Sequence, residues 1–465
     1  MYMRHATRLF LFLALTATAA FGAFAKFPYL QNLTDSSIVV RWETPTAQDG
    51  KVQYGLTSSY GSEVVQSGSA VDHELTLTGL VEDTAYHYRA ISGSDTSADA
   101  MFRSNVSSDR PFRFVALGDH RSDSASHQSV VDRVLAQSPL PSLAVDNGDL
   151  TYDGSTPVYQ TFFNIERGLL SRMPSFPSLG NHDVNNVANW QRYLALPNNE
   201  RWYTFRYGNS AFHCIDVYSD FSTGSAQYNW LVSELQADSA NPAVRHIFVF
   251  FHEPPYTTNT GHSGNTTVQQ YLCPLFEQYH VAIVFNGHNH CYEHALVNGV
   301  HYVITGGGGA PLYTGWNSPQ PWDIYREATL ELVLLDVSGD TIRMRAMRPD
   351  GTVFDSLTLG PAGVAESPNA ERRTANSGIQ IHDVLSPTRE RVQFSFTLSK
   401  PANVNSVLYD PTGRRVATLT HGHFDAGEHR VSREGVRLQP GTYSLALESA
   451  GSVSVERVVV LGNEE

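Results

Sequence analysis

Residues 287–294, GHNHCYEH, place three histidines, a cysteine and a glutamate in eight positions, directly after the apolar run VAIVF. Imidazoles at the end of a buried strand suit a metal ion, and taken alone they suit a solvated turn equally well. What decides is which other donors can reach them. Four further clusters follow apolar, strand-like runs: Gly118-Asp119, Gly148-Asp149 with Tyr152, Gly180-Asn181-His182-Asp183, and Phe251-His252. In open α/β sheets ligands gather at the carboxyl ends of strands, so clusters far apart in sequence can converge. The pooled donors are Asp119, Asp149, Tyr152, Asn181, His252, His288 and His290. Two carboxylates, a phenol, an amide and three imidazoles are too many for one ion and suit two. In two-metal sites the ions lie ~3.5–4 Å apart and clamp the attacking and leaving oxygens of an in-line displacement. A lone Gly-Asp pair recurs by chance; the ordered set carries the expectation.

The elements that must position these donors change character along the chain. From Phe27 to Asn105 the text is alternating and β-branched, with SSIVVRWET, KVQYG, ELTLTGL and TAYHYRAIS separated by turn residues, the layout of a β-sandwich. From Pro111 it alternates strand and helix: PFRFVALGD, then SHQSVVDRVLAQ with Val130, Val131, Val134 and Leu135 on one helical face, then PSLAVDNGD. RHIFVFFH, a helical TVQQYLCPLFEQY and VAIVFNGH repeat the theme, and strands near ATLELVLLDV and TIRMRAMRP close the α/β region near 360. A small, polar stretch at 361–377 has the composition of a linker. Beyond it RVQFSFTLS, GTYSLALES and SVSVERVVVL predict a second all-β sandwich over 378–465.

The 465 residues carry a formal charge of −14, and no Lys/Arg cluster reverses it locally, which argues against nucleic acid as a partner. Residues 1–25 read as a cleaved secretory signal: Arg4 and Arg8 precede an apolar run, and Ala23-Phe24-Ala25 supplies the small-x-small pattern. The mature chain is expected to be exported and to lack a membrane span. Cys214, Cys273 and Cys291 allow at most one disulfide, and no CxxC pattern suggests structural zinc.

The five clusters, in this order and behind a fibronectin type III-like domain at 26–107 carried by Trp42 and LTGLVEDTAYHYRA, resemble the metallophosphoesterase superfamily, and specifically the purple acid phosphatases. The resemblance implies an α/β metallophosphoesterase layered sandwich at 108–360, with mixed β-sheets flanked by helices. It implies that Asp119, Asp149, Tyr152 and His290 bind ferric iron, that Asp149 bridges, and that Asn181, His252 and His288 hold a divalent ion such as Zn, Fe or Mn. Hard phenolate and carboxylate oxygens suit Fe(III), and imidazole suits the divalent partner. Two cations acidify a coordinated water, and the resulting hydroxide attacks phosphorus in line. His182 is the candidate to protonate the leaving group. His262 fits the family's spacing after the His252 position, and Asp183 stands where these enzymes often have glutamate, placed to orient His182. Arg121 occupies the place of a histidine that many superfamily members carry; it can touch substrate phosphate or lie at the surface. GGGGAPLY at 306–313 can approach the site closely because glycine lacks Cβ. The implied activity is hydrolysis of small phosphate monoesters with an acidic optimum. A phosphodiesterase or nucleotidase on the same scaffold, and a surface-binding protein with a relict central domain, are the rivals. The C-terminal region resembles Ig-like modules of secreted bacterial proteins, through Tyr409-Asp410, Gly413-Arg414, Val416, Gly427-Glu428-His429 and Pro440-Gly441-Thr442-Tyr443. That implies a bacterial source and a role with the secretion machinery or the cell surface.

Overall fold

A computed structural model describes residues 24–108, 110–360, 379–382, 384, 391–409, 415–434, 438, 441–449 and 452–460. The bulk of the expected signal segment, the linker at 361–377, and Asp410, Gly413, Arg414 and Pro440 of the C-terminal pattern lie outside the described residues.

The central α/β region is built on two mixed sheets. One runs Ser175–Pro177, Leu143–Asp146, Phe112–Leu117, Leu332–Ser338, Thr341–Met347, Val353–Leu359; the other runs Tyr203–Tyr207, Ser210–Cys214, His246–Phe250, Ile283–Asn286, Val300–Thr305, Tyr292–Val297, Asp323–Glu327. Within each, the strands that precede donor clusters are parallel: Phe112–Leu117 with Leu143–Asp146 and Ser175–Pro177, and His246–Phe250 with Ile283–Asn286. Parallel strands covered on both faces read as continuous apolar runs, which is why FRFVAL, HIFVF and IVFN lack polar alternation. Phe114 of the first sheet meets Phe212, Phe248 and Phe285 of the second edge-on, with centroids 5.1, 5.2 and 6.2 Å away. The two sheets are thereby packed face to face, and the carboxyl ends of both sets of parallel strands open on one edge.

Helices cover the outer faces. Ser124–Leu135 is capped by Asp123, whose carboxylate accepts from the Ala125 and Ser126 amides, and it buries His127, Val130, Val131 and Val134. The expected single helix in TVQQYLCPLFEQY is instead two, Thr266–Tyr271 and Cys273–Gln278. Pro274 has no N–H to return to the Gln270 carbonyl, so the ladder breaks at Leu272.

An all-β N-terminal region precedes this scaffold, with one sheet of Lys26–Gln31, Ser37–Gln48 and Ala70–Thr78 and another of Ser62–Val65, Gly50–Gly55, Ala85–Ser92 and Asp95–Thr96, with Ala100–Arg103 paired to Ala85–Ser92. Trp42 ties them: its indole N–H donates to Ser92 Oγ at 2.8 Å and its ring stacks on His73 at 4.5 Å. This region continues into the α/β scaffold without a break in the core, since Leu30, Trp42, Phe114 and Phe285 belong to one apolar cluster. Polar ties reinforce it, with Tyr29 donating to the Tyr193 carbonyl at 2.8 Å and Tyr88 to the Ser171 carbonyl at 2.9 Å. The C-terminal region is β-rich, with two sheets around a separate core that includes Phe394, Phe396, Leu408, Leu445, Leu447 and Val458. No helix among the described residues is long and apolar enough to cross a membrane.

Candidate metal centre

The strand ends deliver their donors through strained backbone. Asp119, Asp149 and His288 adopt φ of 60°, 55° and 70°, a left-handed conformation that costs a non-glycine residue of order 1 kcal/mol. Local hydrogen bonds hold it: the Asp119 amide donates to the Gly148 carbonyl at 2.9 Å and the His120 amide to the Asp149 carbonyl at 3.2 Å. Asp119, Asp149 and His290 offer ligand atoms that all lie within 4.8 Å of one another, and all three are buried.

Six of the seven pooled donors come together. His252 Nδ1 donates to the Asn147 carbonyl at 2.7 Å, which leaves the neutral ring's lone pair on Nε2. That nitrogen stands 3.1 Å from Asn181 Oδ1 and 3.5 Å from Asp149 Oδ1. His288 Nδ1 approaches the same Asn181 oxygen at 3.0 Å. His290 Nδ1 donates to the Pro311 carbonyl at 2.7 Å, so its Nε2 lone pair points inward, 3.5 Å from Asp119 Oδ1. Asp119 Oδ2 accepts from the His288 amide at 2.9 Å, whereas Oδ1 is buried with no hydrogen-bond partner among the described residues. The chemistry of the set, carboxylates and imidazoles grouped around Asp149, fits two cations.

Burial sets the protonation of these groups. It pushes Asp119 well above the usual carboxylate range, with the Asp149 charge adding to the effect. It drives His288 down to about 2, helped by His252 and His262, and His290 down to about 4. Neutral imidazole is the form that ligates.

Tyr152 stands apart from the six. It is 54% exposed, with its ring 5.2 Å from that of His182. His182 is held by a hydrogen bond from Nδ1 to the Tyr152 carbonyl, and its Nε2 lies 3.9 Å from Asp149 Oδ2. Asp183 meets loops in place of the His182 ring: its carboxylate accepts from the Gly180 amide at 3.0 Å and the Leu150 and Thr151 amides at 3.3 Å, stitching together the turns that carry Asn181 and Asp149. His262 stacks on His288 at 3.8 Å, and its amide donates to Asn289 Oδ1 at 2.8 Å. Glu293 secures this loop by accepting from Thr257 Oγ1 at 2.7 Å and from the Thr258 amide at 2.6 Å.

Residues that the motifs did not single out complete the walls. Tyr313 stacks on His290 at 4.1 Å, with its hydroxyl 3.5 Å from His262 Nε2. The glycine run at 306–309 is buried against the site: a Cβ on Gly306 would lie 2.2 Å from the Asn289 carbonyl oxygen and 3.0 Å from Asp119 Oδ2. Its anchor is Glu331, which accepts from Thr305 Oγ1 at 2.9 Å and the Gly307 amide at 3.1 Å and which burial pushes up to about 8. His120 is buried beneath Asp119 and pairs with Asp146 at 2.7 Å, and Arg121 reaches inward to Asp149. Arg121 and the 306–313 stretch gave a sequence signal for this wall, and Glu331 gave none. Cys214, Cys273 and Cys291 are all free and buried, and burial raises the Cys291 thiol far above its usual value, which leaves it inert.

Residues 112–292 match the family model described as Calcineurin-like phosphoesterase, and residues 28–113 match that described as Purple acid Phosphatase, N-terminal domain. An uncharacterized protein of Mycobacterium tuberculosis is 28% identical over 294 residues, covering 54% of this chain and 55% of that protein. Purple acid phosphatase 22 of Arabidopsis thaliana is 27% identical, covering 55% of this chain and 60% of that one. The chain thus spans only about half the length of the first of these relatives. Among solved structures, a purple acid phosphatase from yellow lupin seeds superposes with a TM-score of 0.63 at 18% identity, covering 72% of this chain and 74% of that one, a likeness of fold.

Proposed function

We propose that the chain is an exported acid phosphatase that hydrolyses small phosphate monoesters at a pair of cations, a reading supported by the match of residues 112–292 to the model described as Calcineurin-like phosphoesterase and of residues 28–113 to that described as Purple acid Phosphatase, N-terminal domain. The observation that supports it most is the convergence of Asp149, Asn181 and His252, with His252 Nε2 3.1 Å from Asn181 Oδ1 and 3.5 Å from Asp149 Oδ1. In this reading Asp119, Asp149, Tyr152 and His290 hold Fe(III), Asp149 is shared, and Asn181, His252 and His288 hold Zn, Fe or Mn. For Tyr152 to join, its exposed ring must turn inward past Arg121.

Bound there, the two ions supply an acidified water as nucleophile and neutralise phosphoryl charge. His182 delivers the proton to the leaving alkoxide from Nε2, with its ring fixed by the Tyr152 carbonyl. His262, stacked on His288, positions the phosphoryl group from the opposite wall. Asp183 keeps the Asp149 and Asn181 turns in register. The residue 1–25 segment delivers the chain outside the cell, and the C-terminal β-rich region acts with the secretion machinery or the surface.

Turnover of p-nitrophenyl phosphate, measured together with metal content, tests this. Activity and bound metal should both fall in Asn181→Ala and His252→Ala protein; undiminished turnover in either refutes the assignment. Faster cleavage of bis-p-nitrophenyl phosphate than of the monoester would move the reading to a diesterase. A ferric Tyr152 site predicts a purple or pink protein that loses its colour in Tyr152→Phe.

A further inference from the structure

Arg121 follows Asp119 by two positions, and its side chain is 11% exposed. Nε donates to Asp149 Oδ2 at 2.9 Å. Nη2 lies 3.1 Å from His290 Nε2, and because His290 Nδ1 already gives its hydrogen to the Pro311 carbonyl, the guanidinium is the donor in this pair. The guanidinium carbon sits 5.9 Å from the centre of the Tyr152 ring. Asp149 Oδ2 and His290 Nε2 are thus engaged by one fork of N–H groups. His290 Nε2 has one lone pair, which serves an arginine hydrogen or a metal bond and not both, whereas Asp149 Oδ2 keeps a second. Arginine cannot resolve the contest by losing its proton.

We propose that Arg121 is a resident competitor for the cation subsite formed by Asp119, Asp149 and His290, so that an ion entering there must displace the guanidinium, and Arg121 sets how tightly that subsite binds. The inference rests on the two-cation reading above. It separates the two subsites, because Asn181, His252 and His288 make their close contacts with one another and Asp149 Oδ1 instead of with the guanidinium. Arg121 is accordingly a positioning residue: it keeps the Asp149 carboxylate and the His290 ring aimed inward while it holds them, and it exchanges them for other partners once an ion arrives.

The test is a Zn(II) titration against a chromophoric chelator, using the full chain as wild type, Arg121→Met and Arg121→Lys. Wild type should take up two Zn(II) with unequal affinity. Arg121→Met should tighten the weaker class by at least about tenfold, equivalent to ~1.4 kcal/mol, and leave the tighter class unchanged. Arg121→Lys, with one ammonium in place of a fork, should tighten it by a smaller factor of about three, the order expected when one of two hydrogen bonds is lost. After chelator treatment the Met variant should melt below wild type, while the Zn-loaded pair melt together; a merely structural role would lower both. Unchanged or weaker Zn(II) binding in the Met variant overturns the inference while leaving the two-cation reading intact. Should the Met variant fail to fold, a Lys variant with wild-type affinity overturns it equally. Wild-type protein that binds no Zn(II) overturns the two-cation reading and this inference with it.

Discussion

Replacing Glu331 by glutamine should remove one defined part of the acid preference of the fold's stability, beside those of the other buried carboxyls such as Asp119 and Asp183. Glu331 is fully buried, accepts among the described residues from Thr305 Oγ1 and the Gly307 amide, and has no cationic partner in those contacts, so burial raises its carboxyl from 4.5 to about 8. The folded chain therefore keeps this proton after the unfolded chain has released it. Its contribution to stability is fully present below about pH 4.5 and is lost as pH rises toward 8. At 1.36 kcal/mol per unit the difference between pH 5 and pH 8 is about 3 kcal/mol, good to a factor of about two. Glutamine is neutral throughout and retains an acceptor for Thr305 or Gly307, so the variant should lose this slope. Urea unfolding followed by tryptophan fluorescence suits the measurement, because all six tryptophans, Trp42 to Trp322, lie before the C-terminal region. Wild type and Glu331→Gln should be compared at pH 5, 6, 7 and 8 after the same chelator treatment. Their stability difference should change by about 3 kcal/mol across that range in the direction that favours the variant at high pH. Parallel curves would refute the claim that Glu331 is held as the neutral acid.

Three further outcomes are expected. A Cβ on Gly180 would lie 2.2 Å from both the amide nitrogen and Oδ1 of Asp149, so Gly180→Ala should displace the shared carboxylate and cut bound metal, for an overpacking cost of about 1–3 kcal/mol in stability; metal analysis and thermal melting read both. His182→Ala should lower kcat for p-nitrophenyl phosphate by ~10²–10⁴ with full metal content, and a change confined to KM would deny it the proton-delivery role. Phe114→Ala, which empties the contact between the two sheets, should destabilise the chain by about 3–5 kcal/mol with the site's donors untouched, as measured by urea unfolding.

The site was legible in the sequence to the extent that its chemistry is tied to strand ends. Asp119, Asp149, Asn181, His252, His288 and His290 each follow a run whose apolar character alone marks a buried strand, and sheet topology does the rest. Features that depend on where a flexible side chain turns were not legible. Arg121 could have faced water or the site, and only packing against Asp149 decides it. Tyr152 keeps its ring outside the cluster although its spacing after Asp149 invites a ligand role. Glu331 carries no motif, because its acidity comes from complete burial beside a glycine run whose tightness no composition reveals. His120, which by its place beside Asp119 is expected to face substrate or solvent, is enclosed with Asp146. The helix break at Leu272 was available from Pro274, but the surrounding apolar periodicity outweighed it.

The shared core across the first two regions has a consequence for how such a gene can be cut. A boundary placed between Asn105 and Phe112 looks like a natural seam in the sequence, yet it would split one apolar cluster and leave Tyr29, Tyr88 and the partners they reach facing solvent. The C-terminal region keeps a core of its own, so a cut ahead of it would leave the cluster shared by the first two regions whole.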